Sequence, residues 1–130
     1  MTTTYNTILG TDTANTLIGT TGADSIVALS GNDTVAGKTG ADIISGGDEN
    51  DSIHFVGAAA SASVIGGTGN DTISFAKASA GATAGGGSGE DSIRVVKSMS
   101  GSSVIRGGVG NDTISVASTL LSSSVYGGGG

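Results

Sequence analysis

The chain has 130 residues, the length of one domain, with 25 glycines, no proline, no cysteine and a net charge of −6. The absence of cysteine excludes disulfides, thiolate zinc sites and thiol catalysis, and the acidic balance argues against nucleic acid as a partner, because phosphate binding needs a basic surface. With only 3% aromatic residues the core must be aliphatic, and a mean hydropathy of +0.19 disfavours disorder.

A nine-residue unit, made of a glycine-rich turn and a short strand, repeats from the N-terminus. Its strand half reads Asn or Asp, then usually Ser or Thr, then an aliphatic residue, and the first member recurs every nine residues. The early first members are Asn6, Asn15, Asp24, Asp33, Asp42 and Asp51. Because one apolar side chain alternates with polar neighbours, each unit predicts a half-buried strand.

After residue 51 the spacing of the aspartates changes. They follow at intervals of 20, 20 and 21 residues, as Asp71, Asp91 and Asp112. Nine residues before each of them the strand pattern persists without the acid, at Ala62, Ala82 and Ser103. Two units therefore form one coil, of 18 residues early in the chain and of 20 or 21 later.

These coils predict an all-β fold, a parallel β-roll or β-solenoid with two short strands per 18–21-residue coil and about six to seven coils. The turns should lie on two edges. The long edge would carry Asn15, Asp33, Asp51, Asp71, Asp91 and Asp112, and the other edge Asn6, Asp24, Asp42, Ala62, Ala82, Ser103 and Ser123. A helical alternative fails because glycine at this density disfavours helices.

We expect one aliphatic side chain of each unit to point inward. This column comprises Ile8, Leu17, Ile26, Val35, Ile44, Ile53, Val64, Ile73, Ala84, Ile93, Ile105, Ile114 and Val125. Aliphatic side chains stacked on one another suit the ladder of a sheet. A second inward column is predicted at Phe55, Phe75, Val95 and Val116.

Seven aspartates occupy the same place in the unit, so stacking would bring like charges into rows. Their repulsion would be relieved by a cation between successive coils. Carboxylate oxygens and the carbonyls of the glycine turns form an all-oxygen site, which suits Ca²⁺ better than Mg²⁺ or a transition metal. We expect several Ca²⁺ ions, held by Asp33, Asp51, Asp71, Asp91 and Asp112 on the long edge and by Asp24 and Asp42 on the other. In the alternative, the aspartates only cap backbone N–H groups and bind no metal.

The clearest units run from Gly66 to Ser74, from Gly86 to Arg94 and from Gly107 to Ser115. Their pattern, Gly-Gly-x-Gly-x-Asp-x-aliphatic-x, resembles that of the RTX or hemolysin-type calcium-binding repeat proteins. The resemblance implies a β-roll in which two turns on one edge share each calcium ion. The turn glycines that it assigns to the metal sites are Gly46, Gly66, Gly67, Gly69, Gly86, Gly87, Gly89, Gly107, Gly108 and Gly110.

Several positions depart from this pattern. Asn6 and Asn15 are neutral, and Glu49 replaces the third glycine of its turn. Residues 57–62, 77–82 and 98–103 lack both the aspartate and the glycine pattern, so we expect no metal on that edge past Asp42.

Residues 1–130 are predicted to form a single β-solenoid. Residues 1–23 would be a cap-like coil, residues 24–56 would carry nonapeptide coils of the RTX type, and residues 57–130 would have calcium turns on one edge only. The last coil, ending in a run of glycines at 127–130, is expected to be incomplete, and an open edge invites another strand.

No catalytic constellation is visible in the sequence. The chain has one histidine, His54, so it contains no His-Glu-x-x-His motif and no supported catalytic triad. His54 and the outward Ser and Thr side chains are interpreted as solvated surface. We therefore expect that the chain is not an enzyme.

Two functions remain open. The first is a structural β-roll of an extracellular surface assembly, such as an S-layer, sheath or filament, that self-associates through edges or open ends. The alternative is a calcium-responsive folding and secretion module of a larger toxin, adhesin or secreted enzyme. Outward Leu9, Ile18, Val27 and Ile43 indicate either a contact with another chain or a local cap.

The expected location is extracellular or at the cell surface. No apolar run is long enough to span a bilayer, and the N-terminus lacks the basic and apolar regions of a cleaved signal peptide. We therefore expect export without a cleaved N-terminal signal. The resemblance implies a type I exporter, whose signal is C-terminal and uncleaved.

Overall fold

The computed structural model describes residues 2–130, which form fifteen strands and no helix. Every strand pair is parallel. The strands are β1 Asn6–Leu9, β2 Thr16–Ile18, β3 Asp24–Ser30, β4 Thr34–Ala36, β5 Ile43–Asp48, β6 Ser52–Phe55, β7 Ser63–Thr68, β8 Thr72–Phe75, β9 Ser79–Ala80, β10 Thr83–Ser88, β11 Ser92–Val95, β12 Met99–Ser100, β13 Val104–Val109, β14 Thr113–Val116 and β15 Ser124–Gly129. The predicted all-β class is confirmed.

Two sheets form the main sides of the solenoid. The seven-stranded sheet has the order β1-β3-β5-β7-β10-β13-β15, and the six-stranded sheet has the order β2-β4-β6-β8-β11-β14. Each strand pairs with its equivalent one coil further along the chain, as in the pairs Ile26 with Ile44 and Ile93 with Ile114. The predicted parallel β-solenoid, with two short strands in each coil, is therefore confirmed.

The core is a narrow stack of aliphatic side chains between these sheets. Nine members of the predicted inward column are buried, namely Ile26, Val35, Ile44, Ile53, Val64, Ile73, Ala84, Ile93 and Ile105. Ile8, Leu17 and Ile114 are partly buried at the two ends, and Val125 remains 39% exposed on the outermost strand. In the second column Phe55 and Phe75 are buried, and their rings stack in parallel with centroids 5.1 Å apart.

A third, short sheet adds a side to the later coils, and the sequence analysis did not predict it. Strands β9 and β12 pair through Ser79 with Met99, and an isolated bridge extends the ladder from Met99 to Leu120. Ala59, Ser79 and Met99 are buried. The extra two or three residues of the longer coils supply this side, because an 18-residue coil has no room for a further strand.

None of the residues 2–130 belongs to a helix long and apolar enough to cross a membrane.

Candidate metal centres

The repeated aspartates are enclosed by the turns and do not project into solvent. Asp24, Asp33, Asp42, Asp51, Asp71 and Asp91 are at most 3% exposed, and Asp112 is half-buried. Each lies where a turn ends and the next strand begins. The structure places them in two rows, with Asp24 and Asp42 on one edge and the other five on the long edge.

In each row, the first carboxylate oxygen holds the neighbouring coil. The backbone N–H of Asp51 donates to Asp71 Oδ1 over 2.8 Å, and the N–H of Asp71 donates to Asp91 Oδ1 over 2.8 Å. The same contact repeats at Asn15 with Asp33, Asp24 with Asp42, Asp33 with Asp51 and Asp91 with Asp112. The backbone cap considered in the sequence analysis is therefore present, and except at Asp24 it uses only Oδ1.

The second carboxylate oxygen is buried and unpartnered. This holds for Oδ2 of Asp33, Asp42, Asp51, Asp71, Asp91 and Asp112. A buried polar atom without a partner costs about 1–3 kcal/mol, and a charged one costs more. Each of these oxygens therefore needs a proton or a cation.

The first glycine of each clear turn brings its backbone close to this oxygen, and the place that its missing side chain would occupy is called the glycine gap. A Cβ added at Gly66 would overlap Asp71 Oδ2 and lie 2.5 Å from the carbonyl oxygen of Gly86, one coil further on. The same arrangement recurs at Gly46, Gly86 and Gly107. Each gap thus faces a carboxylate oxygen and a main-chain carbonyl, and this all-oxygen donor set fits Ca²⁺.

The turn glycines have two different roles in the structure. Gly46, Gly66, Gly86 and Gly107 leave space, and the carbonyls that face the gaps belong to Gly66, Gly86, Gly107 and Gly127. The second and third glycines of the turns provide left-handed backbone, with φ between 115° and 133° at Gly67, Gly69, Gly87, Gly89, Gly108 and Gly110. Sequence reasoning missed Gly127, although the glycine run at 127–130 was a signal for a further turn.

Burial raises the pKa of several aspartates. Burial is the largest cause of the rise of the Asp71 pKa to about 7, and the Asp51 and Asp91 carboxylates add to it, while the N–H of Asp51 partly offsets it. Burial also raises the pKa of Asp51 and that of Asp42 to about 6 each, and it raises the pKa of Asp91. Protons and calcium ions therefore compete for the same oxygens near neutral pH.

Asp24 differs from the other aspartates because protein donors satisfy both of its oxygens. Its Oδ2 accepts from the Thr20 N–H over 2.7 Å, and its Oδ1 accepts from the Asn6 side-chain amide over 3.0 Å. The Thr20 hydroxyl lies within hydrogen-bonding distance of both oxygens, at 3.1 and 3.2 Å. The turn before Asp24 is thus closed by hydrogen bonds within the protein.

Past Asp42, this edge is held by hydroxyl groups and apolar side chains. Ser103 Oγ accepts from the Ala82 N–H over 3.1 Å and donates to the Ser100 carbonyl over 2.7 Å. Ser79 Oγ accepts from the Ala59 N–H over 3.2 Å. The Ser103 hydroxyl occupies the place of Asp Oδ1 on the long edge, whereas Ser79 lies three residues before the equivalent position. Neither side chain has a second oxygen.

Between residues 2 and 130, no point gathers three or more His, Asp or Glu side chains. Any ion in the gaps must therefore be held largely by main-chain oxygens. The gaps at Gly46, Gly66, Gly86 and Gly107, each beside a carboxylate, lie along the long edge.

Comparison with known families agrees with this geometry. Four copies of the RTX calcium-binding nonapeptide repeat match the chain, at residues 9–44, 27–55, 56–74 and 95–117. No curated protein and no solved structure shows a significant match. The family matches cover more than half of the chain, which therefore belongs to the family of RTX calcium-binding nonapeptide repeat proteins, whose successive repeats bind several Ca²⁺ ions.

Proposed function

We propose that this β-roll is a calcium-dependent structural element of an extracellular surface assembly, such as an S-layer, sheath or filament. The observation that carries the proposal is the row of buried, unpartnered Oδ2 atoms that runs from coil to coil along the long edge. Calcium in the adjacent gaps braces each coil against the next. RTX repeats are typical of secreted proteins, which agrees with an external location at the cell surface.

The proposed ligands divide by role. Carboxylates come from Asp33, Asp51, Asp71, Asp91 and Asp112 on the long edge and from Asp42 on the other. Carbonyl oxygens come from Gly66, Gly86, Gly107 and Gly127, since these face the gaps. Asp24 is instead proposed to cap the first coils without an ion, because Thr20 and Asn6 already satisfy its oxygens.

Calcium binding and folding are expected to be one process. Without the ion, the carboxylates must remain protonated or repel one another, and ordering the glycine-rich turns costs backbone entropy. Binding offsets both costs, so the free energy of binding contributes directly to folding. Extracellular calcium modules work near roughly 10⁻⁴–10⁻³ M, a concentration found outside cells.

The positions of the acids support the proposed structural role. The aspartates that could act as acids or bases are enclosed in turns and bonded to the neighbouring coil. The proposed self-association is supported by apolar side chains on the outer surface, where Leu9, Ile18, Ile43 and Ile65 are 47–67% exposed.

A second candidate function is a calcium-responsive folding and secretion module within a larger toxin, adhesin or enzyme. The same row of unpartnered oxygens favours it, because such a chain would stay unfolded at cytosolic calcium levels. Sedimentation velocity with added calcium separates the two. The structural role predicts large, ordered assemblies, and the module predicts monomers.

The calcium dependence common to both is tested by far-UV circular dichroism and calorimetry. We expect the β-sheet signal to weaken in excess EGTA and to return with millimolar calcium, with several ions bound per chain. A spectrum unchanged by EGTA, together with no heat of binding, would contradict both functions.

A further inference from the structure

The outer face of the seven-stranded sheet carries a column of side chains that changes in character along the solenoid. We propose that this face packs against the same face of a second copy of the chain, with the coils of the two copies running in opposite directions. The inference rests on the self-association proposed above and names one surface that contributes to it.

The register of the sheet defines the column. Leu9, Val27, Ser45, Ile65, Gly85, Arg106 and Tyr126 pair in succession from β1 to β15. Leu9 is 67% exposed, Ile65 49% and Tyr126 53%. Large apolar side chains at both ends and in the middle are thus separated by the small residues Ser45 and Gly85.

The two ends of the face differ in charge. At the first coils a groove of about 350 Å³ is lined by Val27, Ser45 and Ile65, and Asp12 and Asp48 also line it. At the last coils the Arg106 guanidinium lies 5.4 Å from the centre of the Tyr126 ring. Arg106 is the only basic residue in the seven strands of this sheet.

A two-fold axis parallel to the strands and level with Ile65 brings the acidic end of one copy against the basic end of the other. It places Ile65 opposite Ile65 and Leu9 opposite Tyr126 of the second copy. It also places Arg106 opposite Val27, at the groove that Asp12 and Asp48 border. Such a two-fold contact uses one patch twice, and a face with an acidic and a basic end is complementary to itself only when the copies run antiparallel.

The size of the face agrees with a modest but specific contact. Seven strands spaced at ~4.8 Å, each of about six residues, give an area of roughly 30 Å by 20 Å. This is about 600 Å² per copy, at the lower limit of specific protein interfaces. We therefore expect a reversible dimer and not a permanent one.

Charge reversal tests the proposed pairing by sedimentation velocity with millimolar calcium. R106E and D12K should each weaken dimerisation about tenfold. Each substitution places like charges opposite one another, and the two-fold axis repeats that contact. An equimolar mixture of the two variants should dimerise as the unmodified chain does, since both contacts are then complementary. R94E is the matched control, because Arg94 is exposed on the opposite, six-stranded sheet, and it should leave the dimer unchanged.

Cysteine cross-linking tests the direction of packing, and the chain has no other cysteine to interfere. I65C should form a disulfide dimer with itself in calcium, and S115C, on the opposite sheet, should not. L9C should cross-link with Y126C but not with itself. Self-association without sensitivity to these changes would overturn the proposed face alone. A chain that stays monomeric in calcium would overturn the structural function as well.

Discussion

In each aspartate of the long row, the two carboxylate oxygens have different roles. Oδ1 accepts a backbone N–H from the preceding coil, at 2.6–3.0 Å. Oδ2 has no partner in the protein, and from Asp51 to Asp112 it also faces a glycine gap. The first contact needs only an acceptor, whereas the second needs a positive charge. Asparagine could replace aspartate in the first role but not in the second.

This division predicts the effect of D71N combined with D91N. The amide keeps an oxygen for the backbone N–H but removes the charge beside the gap. We expect the calcium midpoint of folding to rise severalfold in a circular dichroism titration. The matched control is D12N with D48N, which removes the same charge from exposed positions outside the row. A midpoint equal to that of the control would argue against these metal sites.

The glycine gap makes a second prediction at the residue scale. G66A should raise the calcium midpoint severalfold, because its Cβ would occupy the space between Asp71 Oδ2 and the Gly86 carbonyl. Its backbone conformation is open to alanine, since Gly66 does not have a positive φ. G85A is the control, because nothing lies within 4 Å of the Cβ it would add. Equal calcium titrations for the two variants would show that the gap is not used.

At the scale of elements, the two edges of the solenoid are held together by different means. The long edge uses carboxylates from Asp33 to Asp112. On the other edge, a Cβ at Gly37 would meet the Phe55 ring, and past Asp42 hydroxyls and the third sheet replace the carboxylates. Aliphatic and aromatic side chains therefore stabilise this edge whether or not calcium is present.

Met99 provides the test of this edge. It is fully buried in the third sheet, and M99A should cost about 2–5 kcal/mol of unfolding free energy through loss of packing. The loss should persist at saturating calcium in chemical denaturation. L121A, one coil further along the chain and 56% exposed, serves as the control and should change stability little. A defect in M99A that excess calcium fully restores would mean that this edge also depends on the ion.

At the scale of the whole molecule, ion binding is linked to the packing of all coils. Each coil contacts only its neighbours, so a coil that loses its ion also weakens the next one. The core receives only one or two apolar side chains from each strand, and it contains few aromatic residues. The row of ions therefore stabilises the stack along its axis, where the core is thin.

The raised pKa values predict that the metal-free chain becomes less stable as the pH rises. The pKa of Asp71 rises from 3.8 to about 7 in the fold, and those of Asp51 and Asp42 rise to about 6. Folding therefore favours the protonated acids, and their contribution is fully present below pH 3.8 and lost as the pH rises through about 6 to 7.

Urea denaturation of chain freed of metal on a chelating resin measures this effect. We expect the urea concentration at the midpoint of unfolding to decrease as the pH is raised from acidic to slightly alkaline values. Calcium affinity should rise over the same range, because the ion displaces protons from the carboxylates. A metal-free chain that becomes more stable as pH increases would contradict the burial of these groups.

The sequence by itself determined the architecture. The nine-residue spacing from Asn6 to Asp51, followed by aspartate intervals of 20 or 21 beyond it, sets the length of a coil. The alternation around Ile26 or Ile93 selects the inward side chain, because successive residues of a strand point to opposite faces. Both are local patterns, so the parallel solenoid, the rows of aspartates and the choice of calcium could be inferred without coordinates.

Only the tertiary structure decided how each site is completed, because the relevant partners lie on different turns or on a neighbouring coil. Thr20 and Asn6 satisfy Asp24, whereas the Oδ2 of Asp71 is left without a donor. The third sheet through Met99 likewise depends on residues 20 or 21 positions apart. A repeat shows which residues are equivalent, but stacking decides which equivalent residues find a hydrogen-bond partner and which require an ion.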